Sequence, residues 1–233
     1  MTLKATQNDS PVTLDSARPP TYIPPGMKCS APTAVPPAAR GRPREFDPDE
    51  ALAAALRVFW TRGYEGASMA ELTEAMGITK PSLYACFGNK EALFKKTLDL
   101  YERDKLAYMG KALEAPTARG VAERLLTGAL ATHCGEKDPH GCLGVISTVA
   151  CTPEADSIRA DVIKRRASSE AAVIKRFEQA RDEGDLPDSV CPAKLAGCLT
   201  TVLQGLSVKA QGGAGPEELQ GTADTFLAMW PGR

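Results

Sequence analysis

Apolar residues between Ala51 and Phe94 recur at helical spacing in short runs separated by glycines and polar caps. Leu52, Ala55, Leu56 and Phe59 make the face of a first helix, opened by Asp47-Pro48-Asp49-Glu50 and ended by Gly63. Met69, Leu72 and Met76 make the face of a second. It starts at Ser68, whose hydroxyl can accept from the Glu71 amide while the Glu71 side chain reaches back. Gly77 is free to take positive φ at the corner, Ile78 packs it, and Thr79 caps a third helix with Lys80 and Pro81 in its first turn. Leu83 and Phe87, four residues apart, turn inward and leave Ser82, Tyr84 and Ala85 facing out. Two helices joined at a glycine corner have the pattern of a helix-turn-helix.

The pattern stays helical downstream. Asn89 caps a fourth helix, expected from Lys90 to about Ala112 and stopped by Pro116. At the usual rise it reaches on the order of 30 Å, enough to leave the small N-terminal core as a connector. Thr117 to His133 predicts a helix, Gly135 to Gly141 a turn, and Cys142 to Cys151 a short apolar helix. Glu154 to Glu183 predicts a long charged helix with Ile158, Val162, Ile163, Val173, Ile174 and Phe177 on its buried side. Pro192 to Gln211 carries Leu195, Leu199, Val202, Leu203 and Leu206, interleaved with Ala196, Gly197, Thr200 and Gly205. Pro216 to Trp230 carries Leu219, Ala223, Phe226, Leu227 and Trp230. Both stripes suit helix-on-helix packing, within one chain or between two copies. The expected fold class is all-α, an N-terminal three-helix helix-turn-helix followed by a helical body.

Composition adds boundaries. With 233 residues, 43% hydrophobic and 24% charged, the chain can bury a core as one or two small domains. No apolar run reaches membrane-spanning length and the first residues lack a signal-peptide pattern, so a cytoplasmic protein without a membrane partner is expected. Seven cysteines without a Cys-x-x-Cys pair argue for free thiols. The net charge of −1 excludes a bulk nucleic-acid coat, but Arg40, Arg42, Arg44, Lys80 and Lys90 gather at one arm and at helix starts. Residues 1–39 hold eight of the 18 prolines and read as a disordered tail. Arg40-Gly41-Arg42-Pro43-Arg44 follows, similar to the core of an AT-hook; a minor-groove arm and a solvated basic linker both fit it.

From Arg42 to Phe94 the chain resembles the TetR/AcrR transcriptional regulators. The resemblance rests on Gly41-Arg42-Pro43-Arg44, Ala51 to Gly63, Tyr64-Glu65-Gly66-Ala67-Ser68, Gly77-Ile78-Thr79-Lys80, Ser82-Leu83-Tyr84, Phe87 and Asn89-Lys90-Glu91-Ala92-Leu93-Phe94. Thr73 departs from the alanine usual at the helix crossing, and Ala85-Cys86 from the second aromatic often found after Tyr84. The resemblance implies a basic arm and DNA-binding domain over residues 40–92 and an effector-binding and dimerisation domain over 93–233. It implies a homodimer on a palindromic double-stranded DNA operator, released by a small-molecule effector and needing no cofactor. Arg42, Arg44, Ser68, Thr79, Lys80, Pro81, Ser82, Tyr84, Ala85 and Lys90 are the expected DNA contacts. The last two helices would pair with their copies across a two-fold axis. The middle helices, about Thr117 to Glu183, would enclose the pocket, and Leu126, Leu130, Cys142, Ile146 and Val149 are expected to line it beside Leu125 and Val145.

A second reading attaches to His133, Cys134, His140 and Cys142, both histidines and two thiols within ten residues. Such groups ligate soft metals or react with electrophiles and oxidants, which would make a metal- or thiol-responsive regulator. Their spacing matches no regular zinc pattern, and helix-end histidines and apolar cysteines are common structural residues. No metal is therefore assigned. The chain has no Gly-x-Ser-x-Gly, no His-Glu-x-x-His and no phosphate-cradling glycine loop, so an enzyme is not expected.

Overall fold

The computed structural model describes residues 46–135, 138–149 and 155–232. The proline-rich tail, the arm with Arg42 and Arg44, and Cys29 and Cys151 lie outside the described residues. Among the described residues the chain is all-α, with ten helices and no strand.

The first three helices are α1 (Pro48–Gly66), α2 (Met69–Ala75) and α3 (Lys80–Phe87). Each begins as the caps dictate. Asp47 accepts from the Asp49 amide, Ser68 and Glu71 complete the reciprocal box, and Thr79 accepts from the Ser82 amide. The predicted end of α1 at Gly63 is a break with φ 72° and ψ 177°, after which a last turn runs to Gly66. Ala51, Ala55, Leu56, Phe59 and Trp60 are buried, and Leu72, Leu83 and Phe87 close the small core. Thr73, where a smaller residue is usual, donates its hydroxyl to the Met69 and Ala70 carbonyls of its own helix and needs no outside partner.

The connector divides where no sequence signal marks it. Helix α4 (Lys90–Lys105) ends at Leu106, and α5 (Ala107–Leu113) continues at a bend. Packing explains this. Tyr108 lies flat on α6 (Ala118–His133) at Gly128, where an added Cβ would stand 2.1 Å from its ring. The remaining helices are α7 (Leu143–Val149), α8 (Asp156–Asp182), α9 (Pro192–Gln211) and α10 (Pro216–Ala228). On α8, Ile158, Val162, Val173 and Phe177 are buried as expected, but Ile163 is 48% exposed. The expected stripe was one residue too wide there.

Two cores result. One joins α5 and α6 to α8, α9 and α10 around Leu125, Phe177, Leu199, Leu206 and Leu219. The other joins α1–α4 to Leu143 and Ile146 of α7 and to Ala155, Ile158 and Val162 around the start of α8. Phe94 meets Phe59 edge-on at 5.0 Å, and Trp60 meets Tyr101 of α4 at 4.8 Å. Thus α7 belongs to the core of the helix-turn-helix as much as to the body. No described helix is long and apolar enough to cross a membrane.

Candidate nucleic-acid interface and internal cavity

Helix α3 is held by Leu83 and Phe87 and presents Lys80, Pro81, Tyr84 and Ala85 to solvent. Tyr84 is 47% exposed, a large aromatic with no core to fill. Two expected contacts are engaged locally. Thr79 Oγ1 and Ser82 Oγ lie 2.9 Å apart, so the cap shares both hydroxyls. Ser68 is likewise occupied, because its box places the Glu71 carboxylate at the start of α2, where burdens of negative charge are already answered by backbone amides. The Ser68 hydrogen bonds hold the Glu71 carboxyl below its ordinary pKa. Lys90 stands over the Tyr64 ring at 4.7 Å; partial burial lowers its pKa, and Glu65 opposes that shift. Ala85 is exposed and Cys86 packs on the small core, so neither supplies a second aromatic.

A cavity of about 430 Å³ lies behind α4. Its lining is mixed: Leu98, Leu106, Met109, Leu125, Ala129, Val145, Val162, Val173 and Leu203 are apolar, and Glu102, Arg165, Arg166 and Glu170 bring charge. Tyr101, Tyr108, His133 and Cys142 supply polar groups, and Ile163 stands on its wall with half its surface in solvent. Of the seven residues expected at a pocket, Leu125, Cys142 and Val145 line this cavity. Leu126 and Leu130 are turned into the α6–α9–α10 core, Ile146 is turned toward Gly63 of α1, and the Val149 side chain lies outside the described residues. Ala129, which the sequence pattern does not single out, also faces the cavity. A groove of about 570 Å³ between α1 and α4 combines Leu52, Leu56, Trp60 and Leu100 with the charged Asp49, Arg57, Lys96, Asp99 and Arg103.

The His/Cys cluster is dispersed. His133 and Cys142 line the cavity, Cys134 is half-buried in the α6 core, and His140 is exposed. Burial pushes the Cys134 thiol up, away from the reactive thiolate. Among the described residues, no group of three or more His, Cys, Asp or Glu side chains could hold a metal ion.

Contacts link the cavity to the helix-turn-helix core. The Gly141 carbonyl lies beside His133 and accepts from Trp60 Nε1 of α1 at 2.9 Å. Ser207 of α9 fixes the same turn by accepting from the Cys142 amide at 2.7 Å. On the other wall Arg165 of α8 donates to Glu102 of α4 and Asp161 of α8 and pairs with Asp99 of α4. Burial works against the Arg165 charge, but these carboxylates hold its pKa above the ordinary range.

Residues 51–97 match the model of the bacterial regulatory proteins of the tetR family. The chain is 36% identical over 196 residues to the HTH-type transcriptional repressor ComR of Escherichia coli (strain K12), covering 83% of this chain and 93% of that protein. The chain belongs to the TetR family. It is a helix-turn-helix transcriptional regulator. A second E. coli relative, the transcriptional repressor BdcR, is 30% identical over 78% of this chain and 88% of its own length. Among solved structures, a cysteine variant of the TetR family regulator CifR, complexed with 26-bp double-strand operator DNA, is 41% identical with a TM-score of 0.78. That alignment covers 82% of this chain and all of the CifR chain.

Proposed function

We propose that this TetR-family chain represses transcription by binding a palindromic operator as a homodimer, and that a small organic molecule in the α4–α9 cavity releases it. The observation that carries the DNA reading is the outward face of α3, where Lys80, Pro81, Tyr84 and Ala85 are exposed on a helix pinned by Leu83 and Phe87. In this reading α3 enters the major groove and these four residues meet base edges. Thr79 and Ser82 hold its start and Lys90 swings from Tyr64 toward a phosphate. Arg42 and Arg44 would extend the contact into the minor groove. ComR and BdcR, both repressors, and the operator complex of CifR support repression at an operator.

Dimerisation is supported by α9 and α10. Cys198, Thr201, Gly205 and Val208 form one exposed stripe, and Gly221, Thr225 and Ala228 another. The Thr201 and Thr225 hydroxyls bond to the Gly197 and Gly221 carbonyls of their own helices, so the stripes require no outside polar partner. Small residues permit close approach of a second copy.

Release follows from the shared elements. Filling the cavity presses on α4 through Leu98 and Tyr101, on α7 through Val145 and on the turn before it through Cys142, while Leu143 and Ile146 of α7 sit in the DNA-binding core. A modest shift of the two α3 helices would lose their match to successive major grooves. Metal or thiol sensing by His133, Cys134, His140 and Cys142 has no comparable support, because the four groups are dispersed. The test is selection of bound fragments from the source genome followed by footprinting. Two protected half-sites about one helical turn apart support the proposal; a single site or no sequence preference refutes it.

A further inference from the structure

Tyr101 is 1% exposed, lines the cavity, and its hydroxyl has no hydrogen-bond partner. The hydroxyl faces the Cys142 thiol and the Leu143 amide but meets neither in ordinary hydrogen-bond geometry. A buried hydroxyl left unpaired is costly, and phenylalanine would make the same edge-on contact with Trp60. Packing therefore does not explain the oxygen. Beside it His133 is 5% exposed with Nδ1 unpartnered. Burial keeps that ring neutral, its pKa lowered to about 4 against the upward pull of the Gly141 carbonyl. This end of the cavity thus offers hydrogen bonds and no charge.

The charged residues of the wall have partners of their own. Arg165 is held by Asp99, Glu102 and Asp161, and Glu170 accepts from Thr200. Arg166 is held by the Thr148 hydroxyl and has no carboxylate partner among the described residues. A carboxylate ligand would find its counter-ion only there. At the Tyr101 end it would exchange its water for neutral donors only, with no counter-ion beside it.

We infer that the cavity selects an uncharged, mainly apolar molecule bearing a carbonyl or hydroxyl oxygen, which accepts the Tyr101 hydroxyl at the buried end. This rests on the reading of the cavity as the effector site and names the chemical class it admits. The apolar walls from Leu106, Met109, Leu125, Val145, Val162 and Val173 supply most of the contact area, and the oxygen sets the orientation.

The test uses the full chain and three probes of nearly equal size: benzylacetone, a neutral ketone; n-butylbenzene, with no acceptor; and hydrocinnamate, an anion. Affinities are measured by calorimetric titration. Benzylacetone is expected to bind roughly three- to tenfold more tightly than n-butylbenzene, the worth of one hydrogen bond, and more tightly than hydrocinnamate. Tyr101→Phe should remove the ketone's advantage, leave n-butylbenzene unchanged, and melt no lower than the parent without ligand, because an unpaired hydroxyl has gone. Equal ketone affinity in parent and Tyr101→Phe overturns the inference. So does tightest binding of hydrocinnamate that Arg166→Gln abolishes, which would move the class to anions and leave the cavity as the effector site. Binding of none of the three overturns both the inference and the cavity reading. The rank order in the parent decides the class even if a variant does not fold.

Discussion

Gly63→Ala separates two ways in which a methyl group could damage this fold. Gly63 has φ 72° and ψ 177°, a region that residues with a Cβ essentially never occupy. Space is not the obstacle. The nearest atom to an added Cβ is Ile146 Cγ2 at 3.5 Å, ordinary van der Waals contact. The cost is therefore backbone strain, on the order of 1–3 kcal/mol. At this chain length that lowers the melting temperature by roughly 2–10 °C, compared at one protomer concentration. Gly63→Asn should do no better, because asparagine tolerates the left-handed helical region and not an extended ψ at positive φ. Gly77 supplies the contrast: its φ is 64° with nothing within 4 Å of an added Cβ, so Gly77→Ala should cost about 1 kcal/mol. Circular-dichroism melts read all three. A Gly63→Ala protein melting within a degree of the parent would mean instead that the turn relaxes freely against α7 and carries no strain cost.

Three further outcomes follow from the site. Gly128→Ala places a Cβ 2.1 Å from the Tyr108 ring, which must move into the cavity; stability should fall by about 1–3 kcal/mol and n-butylbenzene affinity with it, and unchanged binding by calorimetry would mean that Tyr108 has room elsewhere. His133 is neutral in the fold down to a pKa of about 4, lowered from 6.5 by burial, so the unfolded chain binds a proton that the folded chain does not across that window. Stability should therefore fall as pH drops from 6.5 toward 4, by up to about 3 kcal/mol per protomer, and a His133→Gln protein with the same pH slope in urea unfolding would contradict it. Lys90→Ala should weaken binding to all DNA sequences alike and lower the salt slope by about one unit; a loss confined to the operator would make Lys90 a base reader.

What could be read from the sequence was local. Asp47, Ser68, Thr79 and Asn89 all cap the helices they precede, because a cap depends on residues two or three positions away. The outward face of α3 was equally legible from the i, i+4 pair Leu83 and Phe87. The bend at Leu106 was not, since the amphipathic pattern runs through it and the bend is imposed from outside, where Tyr108 meets the bare backbone at Gly128. Nor was the cavity register. Helix α6 is apolar on two adjacent faces, and periodicity does not say that Leu125 and Ala129 meet empty space while Leu126 and Leu130 meet α9 and α10. The role of α7 was hidden for the same reason. Neighbouring residues Val145 and Ile146 face the cavity and the DNA-binding core respectively, and only the fold brings those cores together.

Whether α3 reads a specific operator is measured by titrating parent and Tyr84→Ala proteins against the selected operator and a scrambled duplex at one fixed salt concentration. Fluorescence anisotropy gives both affinities. The Tyr84 ring is exposed and supports no core, so its loss should leave folding intact. The variant should bind the operator about 1–3 kcal/mol more weakly, while the scrambled duplex is bound as before. Parent-like operator affinity in a folded Tyr84→Ala protein would contradict it and place the recognition surface elsewhere.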